Sequence, residues 1–114
     1  MADLCVKCGL CLPHCPTYRL SGLEGESPRG RISLIQGLTD GALTASDRIA
    51  EHLDNCTGCL TCQAVCPANV PYGELIDLGR AEMRRRGRKR SVAARVLTML
   101  SRSRSVTGIL LGLL

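Results

Sequence analysis

The sequence predicts a small, mainly α-helical domain that its cysteines hold together. Three observations support this prediction. The 114 residues include no Phe or Trp, and only Tyr18 and Tyr72 are aromatic. Apolar residues between the two groups of cysteines recur at helical spacing and do not alternate as in a strand. A domain this small usually needs disulfides, a metal or a partner for stability, and eight cysteines can supply such a staple.

The eight cysteines lie in two copies of one motif, C-x-x-C-x-x-C-x-x-x-C-P. The first copy spans residues 5–16 and the second spans residues 56–67. The motif positions are Cys5, Cys8, Cys11 and Cys15 in the first copy, and Cys56, Cys59, Cys62 and Cys66 in the second. The sequence opens without a basic, apolar leader, so we expect no export. In a reducing cytosol, cysteines at this density favour metal binding over disulfides.

Two helices are predicted between the motifs. The first has an apolar face formed by Ile32, Leu34, Ile35 and Leu38. The second is predicted to begin near Thr44, because residues 44–47 resemble a capping box with Asp in place of Glu. Its apolar face, Ile49 and Leu53, continues to Cys56. This helix would therefore orient the second motif.

A third helix is predicted from Glu74 to about Arg86. This helix would place Leu75, Leu78 and Glu82 along one side, with Ile76 and Met83 nearby. A basic run follows at residues 84–90 and contributes much of the net charge of +5. Beyond this run, residues 92–114 are amphipathic, and three arginines interrupt them, so no transmembrane span is predicted there.

The cysteine spacing is typical of [4Fe–4S] clusters. Three cysteines separated by two residues let one tight loop reach three corners of the cube, with backbone N–H groups directed at the sulfurs. Gly9 and Gly58 suit this close approach. In the two-cluster pattern, the fourth cysteine binds the other cluster. We therefore predict two [4Fe–4S] clusters, one bound by Cys5, Cys8, Cys11 and Cys66 and the other by Cys56, Cys59, Cys62 and Cys15.

Two other uses of the cysteines are less compatible with this spacing. Structural zinc takes four ligands per ion and gains nothing from a third cysteine at the same interval. A zinc module would also be colourless. Disulfides are disfavoured by the expected compartment and by three cysteines within seven residues.

The remaining polar residues give weaker signals. His14 and His52 are interpreted as polar side chains near a cluster or at the surface, because the ligand count is already complete. Three interpretations are open for Arg29 and Arg31: they offset the cluster charge, they contact an anionic partner, or they face solvent at a helix start. The sequence contains no nucleophile paired with a base, no phosphate loop and no dinucleotide fingerprint, so no catalytic residues are predicted on this chain.

The basic run at residues 84–90 raises the question of nucleic-acid binding. No aromatic residue is interleaved with its arginines, and nothing nearby resembles a recognition helix. A helix end that faces solvent or a partner protein is favoured, and an anionic membrane surface is the next interpretation. We therefore expect no nucleic-acid partner. The expected location is the cytoplasm, with peripheral association at the inner face of the cell membrane as a further option.

Four segments carry a resemblance to a known family: residues 5–18, residues 27–32 (SPRGRI), residues 53–67 and residues 70–77. Together they resemble the iron–sulfur subunit of glycolate oxidase (glycolate dehydrogenase), over about residues 3–86. The cysteine motifs are shared by many dicluster proteins, whereas the S-P-R-G-R and P-Y-G segments are the narrower signal. The resemblance implies an α-helical ferredoxin fold with two [4Fe–4S] cluster-binding loops.

The resemblance also implies a function in electron transfer. Flavin-containing dehydrogenase subunits of such a complex would oxidise glycolate or another 2-hydroxy acid, and this chain would relay single electrons. The alternative is a dicluster ferredoxin or adaptor subunit of another flavoprotein system, of the lactate, glycerol-3-phosphate or heterodisulfide reductase type. We assign residues 1–86 to the dicluster domain and residues 87–114 to a basic, amphipathic extension. Family members continue into a cysteine-rich (CCG) region that these 114 residues do not include, so the extension is interpreted as a truncated linker.

Overall fold

The computed structural model describes residues 1–86, and they are mainly helical. The α-helices are α1 (Pro16–Ser21), α2 (Pro28–Thr39), α3 (Asp47–Asp54), α4 (Thr61–Ala64) and α5 (Tyr72–Arg85). Single-turn 3-10 helices occur at Ala2–Leu4, Leu12–His14 and Glu24–Glu26. No strand occurs within residues 1–86, so the predicted mainly α fold is confirmed. The predicted extension, residues 87–114, lies outside the described residues, and the boundary at residue 86 stays a prediction.

Helix α2 begins and packs as its sequence predicts. Ser27 is extended and its Oγ accepts a hydrogen bond from the backbone N–H of Gly30 at 2.9 Å, while Pro28 occupies the first helical turn. The buried apolar face consists of Ile32, Ile35 and Leu38. Leu34 is only partly buried, at the edge of this face. The cap and the apolar spacing are local signals, which explains why this helix was predictable.

Helix α3 starts later than the sequence suggested. Its N-cap is Ser46, which is extended and whose Oγ accepts from the N–H of Ile49 at 3.3 Å. The predicted capping box at Thr44 was therefore wrong by two residues. The N-cap is the residue whose hydroxyl accepts from the backbone N–H three positions later, and in this helix that residue is Ser46. Leu53 is fully buried. The helix ends at Asp54, so Cys56 follows the helix and does not continue its face.

Helix α5 turns a different face to the core than predicted. It begins at Tyr72, two residues before the predicted start, and Leu78 is 56% exposed. The buried positions are Tyr72, Leu75, Ile76, Gly79 and Met83. A Cβ on Gly79 would lie 2.7 Å from Cγ1 of Ile35, so α2 and α5 approach most closely there. The prediction named the buried Leu75, Ile76 and Met83 but wrongly grouped Leu78 with Leu75, because the glycine at position 79 gives no hydrophobic signal.

The core lies between α2, α3 and α5. Its buried members are Ile32, Ile35, Leu38, Ala50, Leu53, Cys62, Val70, Tyr72, Leu75, Ile76 and Met83. Cys62 joins this core directly to the motif loops. None of the helices in the described part of the chain has the length and apolar character needed to span a bilayer.

The two capping positions can be separated by matched substitutions. We expect Ser46→Ala to lower the free energy of unfolding by about 1 kcal/mol, because the N–H of Ile49 loses its acceptor. Thr44→Ala should change it by less than about 0.5 kcal/mol, as for other exposed positions. The measurement is the urea midpoint of the iron-loaded protein under anaerobic conditions. A larger effect at Thr44 would contradict the cap at Ser46.

Candidate metal centres

The two cysteine motifs share a backbone conformation as well as a sequence. In the first loop, Lys7 and Gly9 flank Cys8 with φ values of 58° and 85°. In the second loop, Gly58 and Leu60 flank Cys59 with φ values of 70° and 58°. Alternating left- and right-handed residues form concavities of backbone N–H groups that bind anions, iron–sulfur clusters among them. The glycines were predicted for close approach, whereas the left-handed Lys7 and Leu60 give no such signal in the sequence.

Each motif loop opens onto a cavity lined by thiols. One cavity is lined by Cys5, Cys8, Cys11 and Cys66, together with Cys62. We name this set, without Cys62, the Cys66 site. The other cavity is lined by Cys15, Cys56, Cys59 and Cys62, which we name the Cys15 site. The structure thus brings together both predicted sets, each completed by a cysteine of the other motif, and the assignment of individual ligands stays a prediction.

The two sites are neighbours. Cys62 lines both cavities, so they share a wall. Cys15 and Cys62 are buried, whereas Cys8 and Cys59 are exposed. Each site therefore has one thiol at the surface, at the tip of its own loop, and the two sites meet inside the protein.

The donor geometry fits a cubane better than a single zinc ion. The four thiolates of a cubane bind four different iron atoms, so they stand farther apart than the ligands of one zinc ion. Within residues 1–86, no three His, Cys, Asp or Glu side chains converge closely enough to hold one ion. All eight cysteines are free thiols, so nothing here supports disulfides either.

The surroundings of the thiols shift their pKa values in different directions. Burial, reinforced by nearby thiolates, raises the pKa of Cys62 to about 12. Burial also raises the pKa of Cys11. The backbone N–H and the hydroxyl of Thr61 lower the pKa of Cys59. The thiolate is the form that binds metal, so Cys59 is the readier ligand, and Cys62 must release a proton on binding.

A buried ion pair lies beside the Cys15 site. Arg31 is 1% exposed, and its Nη2 donates to Oε2 of Glu26 at 2.5 Å. Its Nε donates to the carbonyl of His52 at 2.6 Å. Nδ1 of His52 lies 2.6 Å from Oε1 of Glu26, and Asn55 donates to the same oxygen at 3.0 Å. Burial opposes ionisation of Glu26, but these hydrogen bonds and the charge of Arg31 together lower its pKa.

These contacts settle what the arginines and histidines do. The solvent-facing alternative was wrong for Arg31, which is buried. Arg29 is partly exposed, pairs with Glu24 at 2.7 Å, and donates to the carbonyl of Lys7 at 3.0 Å, which ties α2 to the first loop. His14 is exposed and lines the cavity of the Cys15 site, as predicted for a polar residue near a cluster. His52 is a partly exposed polar side chain, and its contact with buried Glu26 is one that the sequence did not predict.

The S-P-R-G-R segment now has a physical reason at each position. Ser27 caps α2 and Pro28 fits its first turn. Arg29 holds the first motif loop. Gly30 allows the backbone carbonyl of the preceding turn to approach closely. Arg31 fills the buried position beside the Cys15 site.

Comparison with known proteins agrees with this geometry. Residues 1–70 match the family described as 4Fe-4S dicluster domain. The chain belongs to this family. Its domain holds two [4Fe–4S] clusters, and the eight cysteines of the dicluster chain fit that number.

Several relatives of the dicluster chain are longer proteins. It is 42% identical to the probable glycolate oxidase iron–sulfur subunit of Bacillus subtilis over 94 residues, which is 82% of this chain and 21% of the relative. Identity to the glycolate oxidase iron–sulfur subunit of Escherichia coli is 46% over 76 residues, or 67% of this chain and 18% of that one. The resemblance predicted from the sequence is thus confirmed. The chain spans about a fifth of the length of these two relatives.

A third relative is shorter. It is one of the subunits of the ferredoxin:CoB-CoM heterodisulfide reductase of Methanosarcina mazei. The dicluster chain is 33% identical to it over 82 residues, which make up 71% of this chain and 46% of the relative. No solved structure matches the chain.

Proposed function

We propose that this chain is the electron-transfer part of a flavin-linked 2-hydroxy acid dehydrogenase of the glycolate type. It would receive single electrons from flavin-containing subunits and relay them through two [4Fe–4S] clusters. The observation that carries the proposal is the pair of adjoining thiol-lined cavities in a chain with 42% and 46% identity to glycolate oxidase iron–sulfur subunits. Membership in the dicluster family supports the same role.

The side chains and backbone of this chain have four tasks in such a relay. The motif loops present three thiols each, and the left-handed residues beside Cys8 and Cys59 direct backbone N–H groups toward negative charge. The bound clusters would supply one-electron redox chemistry. Cys62, on the wall between the cavities, keeps the two sites close. Exposed Cys8 and Cys59 give each site an edge that a partner can approach.

A second candidate is a dicluster ferredoxin or adaptor subunit that serves another flavoprotein system. The identity of 33% to a heterodisulfide reductase component favours it, as does the identity of 29% over 69 residues to Ferredoxin-3 of Nostoc. Association with the inner face of the cell membrane also stays a proposal. It depends on the basic run, of which residues 87–90 lie outside the described part of the chain.

The first test is anaerobic purification followed by iron and sulfide assays and by EPR after dithionite reduction. We expect about eight irons per chain and the signals of two interacting reduced cubanes. A colourless protein that contains zinc and gives no EPR signal would contradict both candidate functions.

The second test separates the two candidates. The iron-loaded chain is mixed with glycolate oxidase flavin subunits, and glycolate is added under anaerobic conditions. We expect the reduced-cluster EPR signal to appear only when subunits and substrate are both present. Reduction by a glycerol-3-phosphate or lactate flavoprotein, with none by the glycolate subunits, would favour the adaptor function instead.

A further inference from the structure

The two sites differ in the side chains that donate hydrogen bonds to their sulfurs. At the Cys15 site, the hydroxyl of Tyr72 donates to Sγ of Cys56 at 3.6 Å. The hydroxyl of Thr61 donates to Sγ of Cys59 at 3.6 Å. Donors directed at cluster sulfurs stabilise the extra negative charge of the reduced state and so raise its potential.

The buried guanidinium of Arg31 adds to this difference between the two sites. Nη1 of Arg31 lies 3.9 Å from Sγ of Cys15, and the hydroxyl of Thr17 lies 3.3 Å from the same sulfur. Arg31 cannot swing away, because Glu26 and the carbonyl of His52 hold the other guanidinium nitrogens. Glu26 balances the charge of Arg31 overall. Nη2 of the guanidinium contacts the carboxylate, whereas Nη1 donates to the carbonyl of Glu26 and the hydroxyl of Thr17 and is the nitrogen that faces Cys15.

The Cys66 site has a poorer set of donors. The backbone N–H of Arg29 is directed at Cys11. Within residues 1–86, no side chain donates a hydrogen bond to any of its four sulfurs. Arg29 itself is nearby, but its side chain is 30% exposed and pairs with Glu24, so solvent screens its charge far more than that of buried Arg31. No buried cation corresponds to Arg31 at this site in the described residues.

Burial acts in the opposite direction. Cys15 and Cys62 are the buried thiols, and low-dielectric surroundings disfavour added negative charge. Cys62 lines both cavities, however, so its burial affects both sites. Cys15 remains as a buried thiol without a counterpart among the four thiols of the Cys66 site, and the cation of Arg31, 3.9 Å from its Sγ, opposes the effect of that burial.

We propose, building on the proposed function, that the Cys15 site has the higher reduction potential because Tyr72, Thr61 and Arg31 stabilise negative charge on its sulfurs. With clusters bound, the first electron taken from a one-electron donor would reside at equilibrium at the Cys15 site. Transfer to it from the Cys66 site, across the shared wall at Cys62, would be downhill. Tyr72, Thr61 and Arg31 are tuning residues and not ligands.

The experiment is an anaerobic redox titration followed by EPR on the iron-loaded protein. Tyr72→Phe keeps the ring in the core and removes only the hydroxyl. We expect the higher of the two midpoint potentials to become more negative and the lower one to change less, because Tyr72 lines both cavities but its hydroxyl donates to Cys56. Thr61→Val should act in the same direction. Tyr18→Phe is the matched control, because the chain has only these two tyrosines and Tyr18 donates to no cysteine sulfur.

Cys8→Ser assigns the signals, since it alters one predicted ligand of the Cys66 site. We expect it to change the spectrum of the lower-potential cluster. The proposal is overturned if Cys8→Ser changes the higher-potential signal, or if neither Tyr72→Phe nor Thr61→Val lowers that potential. A protein without iron would contradict the proposed function itself. A full complement of iron with the reverse order of potentials would contradict only this inference.

Discussion

Removal of the iron is expected to unfold residues 1–86. The core contains no Phe or Trp and includes Cys62, so part of it packs around the metal sites. Each predicted cluster also ties the first motif to the second, and α2 and α3 lie between the two motifs in the chain. Structural metals in small domains contribute about 10–16 kcal/mol, whereas whole domains are stable by about 5–15 kcal/mol. The free energy lost with both clusters should therefore exceed the free energy of unfolding that the rest of the domain supplies.

The measurement is far-UV circular dichroism before and after iron is removed with a chelator under reducing, anaerobic conditions. We expect most of the helical signal to disappear, and to return when iron and sulfide are restored. An iron-free chain that keeps its helices and melts cooperatively would show that the core suffices without the clusters.

Paired substitutions test how the clusters are ligated. Cys15→Ser with Cys59→Ser alters two predicted ligands of one site, so about half of the iron and one intact EPR signal should remain. Cys15→Ser with Cys8→Ser alters both sites and should disturb both signals. The reverse pattern would mean that each fourth cysteine binds the cluster of its own motif. The two double variants remove the same number of thiols, so each is the control of the other.

Gly30→Ala is expected to be strongly destabilising. A Cβ at this position would overlap the carbonyl oxygen of Glu24 and lie 2.8 Å from its carbon. Those are backbone atoms held by the turn at Glu24–Glu26, so relief requires the turn to move. The turn includes Glu26, the partner of Arg31. We expect the free energy of unfolding to fall by about 3 kcal/mol, the upper part of the range for overpacking.

Gly37→Ala is the matched control in the same helix. A Cβ there would meet the side chain of Leu43, which is 37% exposed and can turn away. Alanine favours helix over glycine by about 1 kcal/mol, which offsets part of the shift required of Leu43, so Gly37→Ala should cost much less than Gly30→Ala. Both variants are compared by urea unfolding of the iron-loaded protein. Equal effects at the two glycines would mean that helix propensity matters here and the contact with Glu24 does not.

The sequence by itself determined the parts of this protein that depend on short-range chemistry. Cluster ligation needs a fixed order of cysteines within about twelve residues, so residues 5–16 and 56–67 predicted both sites and their cofactors. The cap and apolar face of α2 are equally local. The S-P-R-G-R segment could be recognised in the sequence, but the contacts that explain its residues became visible only in the folded structure.

Only the tertiary structure decided which face of α5 is buried and what Arg31 does. The burial of α5 depends on the close approach of Ile35 at Gly79, a contact between helices far apart in the chain. Arg31 of α2 contacts Glu26 of a 3-10 helix and the carbonyl of His52 in α3, so three elements come together at this point. No local pattern specifies such a meeting, because a buried ion pair is stable only where folding supplies every one of its partners at once.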